Sequence, residues 1–135
     1  MVRIDVVYEG ELHTACSHAP SGASVATDAP RDNHGRGESF SPTDLLATAL
    51  GSCALTVMGI HARREGYALE GARVRVEKHM TTEPVRRVGR LVAHFDMPAG
   101  IPTHAQKELE QTALSCPVKE SIHPAIAPEF DFRWG

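Results

Sequence analysis

Two cysteines, Cys53 and Cys116, are the residues of this sequence best suited to do chemistry. They stand 63 positions apart, and each falls on the apolar face of a predicted helix. If the fold brings those two helices together, the thiols form a buried dithiol. We expect the chain to lack an export signal and to stay in a reducing compartment. A buried dithiol there favours redox chemistry over a structural disulfide.

Attack on an oxidised centre requires a thiolate, and burial by itself opposes the ionisation of a thiol. Cys53 lies three turns into its predicted helix, where the helix dipole contributes little. A cation must therefore reach it. Arg31 and Arg36 in the preceding loop and Arg3 on the first strand are the candidates, although each is also typical of a solvated surface. Arg36 is the predicted partner, and the residues alone do not settle the choice.

Cys116 differs from Cys53 because Pro117 follows it. The proline ends or kinks the helix, so Cys116 could cap the next turn, close to free backbone N–H groups. A residue at a helix break can move, as a resolving thiol must when it closes a disulfide. The third cysteine, Cys16, falls in a predicted edge hairpin, and we expect it to be a bystander.

Metal binding is not favoured by the histidine and cysteine spacing. Cys16 with His18, or Cys53 with His61, could be ligand pairs, but eight scattered histidines produce such pairs by chance. The three cysteines contain no C-x-x-C motif. We therefore predict neither a metal nor another cofactor.

The bulk properties describe an ordinary globular chain. Its 135 residues suffice for one domain, so we predict a single domain over residues 1–135. The net charge of -3 from 14 basic and 17 acidic side chains offers no basic field for nucleic acid. The apolar run 45–60 is short for a bilayer and is interrupted by small and polar residues, which favours a buried helix. We expect a cytoplasmic protein without membrane contact.

The pattern of strands and helices predicts an α+β fold. Alternation of apolar and polar residues predicts a hairpin over residues 4–16, a third strand at 23–27, a second hairpin over 71–97 and a last strand at 129–134. Residues 28–39 contain proline, asparagine and glycines without periodicity, and they predict a long loop. A loop of this length is often functional.

Capping signals mark the starts of two helices. Ser41-Pro-Thr-Asp44 predicts a helix with Ser41 at the N-cap that runs to about Arg64. Thr103 with Gln106 repeats the capping-box signature before a second helix. The first helix is apolar nearly all round, which is typical of the core helix of a fold or of a dimer. Its predicted buried face comprises Leu46, Ala49, Leu50, Cys53, Val57 and Ile60.

The two cysteine segments resemble a known family. Ser-Pro-Thr-Asp-Leu-Leu-Ala-Thr-Ala-Leu-Gly-Ser-Cys, which ends at Cys53, and Ala-Leu-Ser-Cys-Pro-Val around Cys116 resemble the OsmC/Ohr family of osmotically inducible and organic-hydroperoxide-resistance proteins. The order of elements is similar over nearly the whole chain. The resemblance implies antiparallel sheets packed around two long central helices in an intertwined homodimer, with thiol-dependent reduction of organic hydroperoxides.

The resemblance also implies a role for each thiol. Cys53 would attack the terminal O–O bond, release an alcohol and become a sulfenic acid. Cys116 would condense with it to a disulfide, and a dithiol such as a dihydrolipoyl protein would reduce that disulfide. Hydrogen peroxide would be a poorer substrate than organic hydroperoxides.

One position departs from the family pattern. Peroxidases of this family carry a glutamate ten residues before the first cysteine, paired with the arginine, and this chain has Thr43 there. Asp44 is the only neighbouring acid, and we predict it, with Arg36, as part of the catalytic set, although it could simply cap the helix. The departure leaves a second hypothesis open, in which a dimer binds a small apolar or thiol-reactive ligand and both cysteines line the pocket. Sulfur transfer or sensing is a third.

Overall fold

A computed structural model describes all 135 residues. Backbone contacts divide the chain into two compact units, Met1–Leu46 and Ala47–Gly135. Each unit contains one three-stranded sheet, and the chain also forms helices. The predicted α+β class is therefore confirmed. That the chain is a single domain stays a prediction.

The first unit is built on an antiparallel sheet in the order β1-β2-β3. Its strands are β1 (Ile4–Gly10), β2 (His13–His18) and β3 (Ser24–Asp28). The predicted hairpin and third strand are confirmed. The hairpin that carries Cys16 includes the edge strand β1, and Cys16 itself lies on β2, which pairs with β3 on its other side and is the central strand. Val6, Cys16 and Val25 form one row across the three strands.

The predicted loop follows β3 and is ordered around Asp28. It contains a single 3-10 turn, Arg31–Asn33. The Asp28 carboxylate accepts the N–H of Glu38 at 3.0 Å, and the Asp28 N–H donates to the carbonyl of Phe40 at 3.1 Å. Gly35 packs so close to Ala29 that a Cβ there would lie 1.8 Å from the Ala29 carbonyl oxygen. These hydrogen bonds join the start of the loop, at Asp28, to its end, at Glu38 and Phe40.

Helix α1 (Pro42–Glu65) begins as its sequence predicts. The Asp44 N–H donates to Ser41 Oγ at 3.0 Å, and the Ser41 N–H donates to Asp44 Oδ2 at 2.9 Å. This reciprocal pair satisfies two backbone donors that the first turn of a helix leaves without partners. The predicted capping box is confirmed.

The second unit carries a mixed sheet in the order β4-β5-β6. Its elements are β4 (Arg73–Thr81), β5 (Arg87–Met97), α2 (Thr103–Leu114), α3 (Pro117–Ser121) and β6 (Glu129–Trp134). β4 and β5 form the predicted antiparallel hairpin. β6 lies at the sheet edge, as predicted, but pairs parallel to β5, so the expectation of purely antiparallel sheets is wrong for this pair. The connection through α2 and α3 returns the chain to start β6 in the same direction as β5.

The start of α2 also differs from the prediction. Pro102, in extended conformation, occupies the N-cap position, and no side chain caps the helix. The Gln106 side-chain amide donates instead to the carbonyl of Ile101 at 2.9 Å. The capping box predicted for Thr103 and Gln106 is therefore wrong, because Thr103 already lies inside the helix.

The buried face of α1 is rotated by about one residue from the predicted one. Gly51 lets β4 approach, since a Cβ there would lie 2.9 Å from Val76 Cγ2 and 3.0 Å from Val74 Cγ1. Ile60, predicted as buried, is 55% exposed. Periodicity could not locate the face because the helix is apolar nearly all round. The buried residues of α1 are Ala47, Leu50, Gly51, Ala54, Met58 and Ala62.

Much of the apolar surface of α1 is uncovered in the single chain. By length and composition α1 is the one helix apolar enough to cross a membrane, a test that the core helix of a soluble protein also passes. Only 33% of its most apolar 18-residue window is buried within the chain.

Candidate dithiol site

The structure brings the two predicted cysteines together. The Cys53 thiol raises the pKa of the Cys116 thiol, so the two side chains are neighbours, and neither is in a disulfide. Cys53 is half-buried in the middle of α1, whereas Cys116 is fully buried between α2 and α3. The two thiols of the predicted redox dithiol are therefore neighbours within the second unit.

The position of Cys116 follows from the chain around it. α2 ends at Leu114, and Pro117 starts α3, so Cys116 lies at the junction in extended conformation. Its sulfur accepts the N–H of Lys119 at 3.5 Å and is the N-cap of α3. The prediction that Cys116 caps a following turn is confirmed. The helix break separates its backbone from the regular hydrogen bonding of α2.

The surroundings of Cys116 favour its protonated form. Burial raises the pKa of the Cys116 thiol, and the neighbouring Cys53 thiol raises that pKa further. The N–H groups of Lys119 and Val118 act in the opposite direction without cancelling this effect. Cys116 therefore keeps its proton at neutral pH.

The other predicted site residues lie in the first unit. The Arg36 charge acts on the Asp28 carboxylate, and the Arg31 guanidinium donates to the Arg36 carbonyl at 3.2 Å. Arg3 pairs with Asp5 at 3.6 Å, and both side chains are largely exposed. Asp44 takes part in the helix cap described above. The catalytic roles of Arg36 and Asp44 stay predictions.

A buried carboxylate in the first unit was not anticipated from the sequence. Asp28 is 2% exposed, and its carboxylate lies 2.6 Å from His13 Nδ1. The hydrogen bond with His13 is the main reason why the pKa of Asp28 is lowered, and the Glu38 N–H and the Arg36 charge add to it. The only signal in the sequence is an acid at the point where a strand gives way to a long loop.

The two pairs that the sequence analysis attributes to chance, Cys16 with His18 and Cys53 with His61, belong to no larger group of possible ligands. No group of three or more histidine, cysteine, aspartate or glutamate side chains is arranged to hold a metal ion. The sulfur of Cys16 lies 3.8 Å from Thr14 Oγ1, within the first sheet.

Comparison with known proteins agrees with this fold and these segments. The sequence model for the OsmC-like protein family matches residues 35–131, a range that includes both cysteines. No curated protein matches the chain in sequence.

Solved structures extend the match beyond this range. A crystal structure of a candidate osmotic stress induced and detoxification response protein from Psychrobacter arcticus is 42% identical, with a TM-score of 0.93, over 98% of this chain and 96% of that one. Two more distant structures show the same fold. The organic hydroperoxide resistance protein OsmC from Legionella pneumophila is 16% identical with a TM-score of 0.77, over 98% of this chain and 96% of that one. A Vibrio cholerae candidate organic hydroperoxide resistance protein, with captopril in one of its active sites, is also 16% identical with a TM-score of 0.73, over 98% and 90%. The chain therefore belongs to the OsmC-like protein family.

Proposed function

We propose that this protein is a thiol-dependent peroxidase that reduces organic hydroperoxides through Cys53 and Cys116. The single observation that carries the proposal is the proximity of these two thiols within one chain, which is close enough for Cys53 to raise the pKa of Cys116. Distant structural neighbours from Legionella pneumophila and Vibrio cholerae bear the name of organic hydroperoxide resistance proteins, which supports the same chemistry.

The unequal burial of the thiols supports different roles for them in this proposal. Cys53 is half-buried and can meet a small substrate, whereas Cys116 is fully buried and cannot meet it first. In the proposed first step, the Cys53 thiolate attacks the terminal oxygen of R–O–O–H. The O–O bond breaks, the alcohol R–OH leaves after taking up a proton, and Cys53 becomes a sulfenic acid.

Cys116 then resolves the sulfenic acid. Its sulfur attacks the Cys53 sulfur, an S–S bond forms, and the hydroxyl leaves as water with the proton of the Cys116 thiol. A dithiol reductant, proposed to be a dihydrolipoyl protein, restores both thiols by two exchange steps and is itself oxidised to a disulfide. The raised pKa of Cys116 means that this resolving step should accelerate as the pH rises above neutrality.

The proposal includes a cytoplasmic homodimer. The exposed apolar side chains of the first sheet and the uncovered surface of α1 support a second copy as the partner. Arg36 and Asp44 belong to the proposed catalytic set. Alanine variants of Arg36, Arg31 and Arg3 would identify the required arginine as the one whose loss lowers the rate of thiol oxidation most.

A thiol count after oxidation tests the proposal. The fully reduced protein, which contains three cysteines, is treated with one equivalent of cumene hydroperoxide. Two of the three thiols should be lost, with a slower loss when hydrogen peroxide replaces cumene hydroperoxide. Cys53→Ser should abolish the reaction, Cys116→Ser should accumulate a sulfenic acid, and Cys16→Ser should behave as the parent. Retention of all three thiols in the parent protein would contradict the proposal.

The alternative is an interface pocket that binds a small thiol-reactive or apolar ligand. Captopril, a small thiol, occupies an active site of the Vibrio cholerae neighbour, and this observation favours the alternative. The Cys53→Ser variant separates the two functions. Ligand retention by this variant, with no thiol loss in the parent protein, would select the binding function.

A further inference from the structure

Cys116 has a structural role besides its role in the thiol pair, because it caps α3. Its sulfur accepts the N–H of Lys119 at 3.5 Å, and the N–H of Val118 also acts on it. α3 is five residues long and buries none of its side chains. A helix this short has little intrinsic stability, and tertiary packing adds little here, so its cap matters more than it would in a longer helix.

Formation of a disulfide requires one of the two sulfurs to move. An S–S bond is about 2.05 Å long, whereas both cysteines are free thiols in this structure. Cys53 is held in the middle of α1, a helix of 24 residues. Cys116 lies at the junction between two helices, where the backbone is freer. Cys116 is therefore the thiol that moves.

This movement weakens the cap. The reduced Cys116 is already a neutral thiol, so the cap is lost through displacement: movement of the sulfur toward Cys53 lengthens its 3.5 Å contact with the Lys119 N–H. Two further hydrogen bonds depend on the first turn of α3 staying helical, Glu120 N–H to the Cys116 carbonyl and Ile122 N–H to the Val118 carbonyl, both at 3.1 Å.

We propose that closing the Cys53–Cys116 disulfide uncaps α3, so that Pro117–Ser121 is ordered in the dithiol form and loosened in the disulfide form. The inference rests on the proposed function only in taking the two thiols as a redox couple. A dithiol reductant would then meet a loosened segment next to the disulfide in the oxidised protein and an ordered helix in the reduced one. The order of the surface segment Pro117–Ser121 thereby depends on the redox state of the thiol pair.

Hydrogen exchange of the α3 amides tests the inference. A Cys16→Ser background leaves two thiols, and diamide closes the disulfide by accepting two electrons and two protons. Amides of Lys119, Glu120 and Ile122 are compared in the reduced and oxidised protein. They should exchange about fivefold faster after oxidation, the factor expected for the loss of a typical helix cap.

Two variants of Cys116 provide matched controls. Cys116→Ser keeps an acceptor at the cap and should keep the slow exchange of the reduced protein, whereas Cys116→Ala should show the fast exchange without any oxidation. Equal exchange in the oxidised and reduced forms, unchanged exchange in Cys116→Ala, or failure of diamide to close the pair would each overturn the inference. If diamide closes the disulfide but cumene hydroperoxide does not, the peroxidase proposal fails while the inference is still decided by the exchange rates.

Discussion

The two sheets of this chain bury different kinds of residue. Every buried apolar side chain lies in the second unit, where the inner face of β5 packs Leu91, Ala93, Phe95 and Met97. The first unit buries only Thr27, Asp28 and Ser41, all of them polar. On one face of its sheet, Ile4, Val6 and Tyr8 are 59% to 64% exposed.

This difference indicates that the second unit has its own core and that the first does not. A single chain leaves an apolar sheet face in water, which is unusual for a protein that functions as a monomer. The first sheet is therefore the surface that the proposed second copy would cover, while the dithiol lies in the unit with its own core.

The largest expected effect comes from comparing Phe95, which is buried in the second unit, with Ile4, which is exposed on the first sheet. Phe95 is 1% exposed and stacks on Phe132 with ring centroids 4.6 Å apart, so Phe95→Ala should lower the free energy of unfolding by about 3–5 kcal/mol. Ile4→Ala should cost no more than about 0.5 kcal/mol in the monomer. Urea denaturation measures both. A cost for Ile4→Ala that grows with protein concentration would sharpen the comparison by placing the first sheet in a dimer interface.

Two glycines on α1 provide the next test. Gly51→Ala would press a Cβ against Val74 and Val76 and should destabilise the protein by about 1–3 kcal/mol. A Cβ at Gly59 would meet nothing within 4 Å, so Gly59→Ala should stabilise the helix by about 0.5–1 kcal/mol. Equal and favourable effects at both positions would show that β4 does not pack closely on α1.

A third test addresses the polar core of the first unit. Asp28→Asn removes the charge that pairs with His13 and weakens the bond to the Glu38 N–H, so the loop after β3 should open more often. Trypsin should then cut at Arg31 and Arg36 severalfold faster. Asp32→Asn, an exposed acid in the same loop, is the charge-matched control and should not change the cleavage rate. Unchanged cleavage in Asp28→Asn would mean that Asp28 does not hold the loop.

The smallest effect is expected on the polar face of the second sheet. His94 lies 3.0 Å from Glu77 and 3.1 Å from Asp131, and these two carboxylates raise the pKa of His94. The stability that His94 contributes is thus fully present below its unfolded pKa of about 6.5. It is lost as the pH rises through the higher pKa that His94 has in the folded protein. His79 and His94 lower the pKa of Glu77. The stability that Glu77 contributes is therefore present above its unfolded pKa and is lost as the pH falls through its lower pKa in the folded protein.

Both contributions therefore coexist between about pH 4.5 and pH 6.5. The melting temperature of His94→Gln, followed from pH 5 to pH 8, should decline less across neutrality than that of the parent. Asp131→Asn should reduce the decline partly. A decline as steep as that of the parent in His94→Gln would exclude this histidine as its cause.

The sequence predicted local features well because each depends on neighbouring residues. The alternation in β1, the Ser41 and Asp44 cap and the helix break at Pro117 all lie within a few positions of the residues they position. The resemblance of the two cysteine segments to the OsmC/Ohr family also led to the pair that the structure brings together.

The features that the sequence did not predict depend on distant contacts. The buried face of α1 is set by where β4 approaches Gly51, and a helix that is apolar nearly all round does not reveal this. Pairing of β3 with β2 places Cys16 on a central strand, and pairing of Asp28 with His13 depends on the same register. The cation proposed for Cys53 could not be identified from the sequence either, since no local pattern distinguishes Arg36 from Arg31.

The parallel pairing of β6 with β5 has a consequence for the order of folding. Tyr8 finds Thr14 across a short turn, whereas Val92 must find Glu129 across a loop six times as long, which costs roughly 1.5 kcal/mol more in chain entropy. Cys116 lies on the connection between β5 and β6, so both ends of that connection are fixed only when β6 docks. During folding the thiols would thus be exposed to oxidants and to mispairing after the first sheet has formed, and the docking of β6 would end that vulnerable interval.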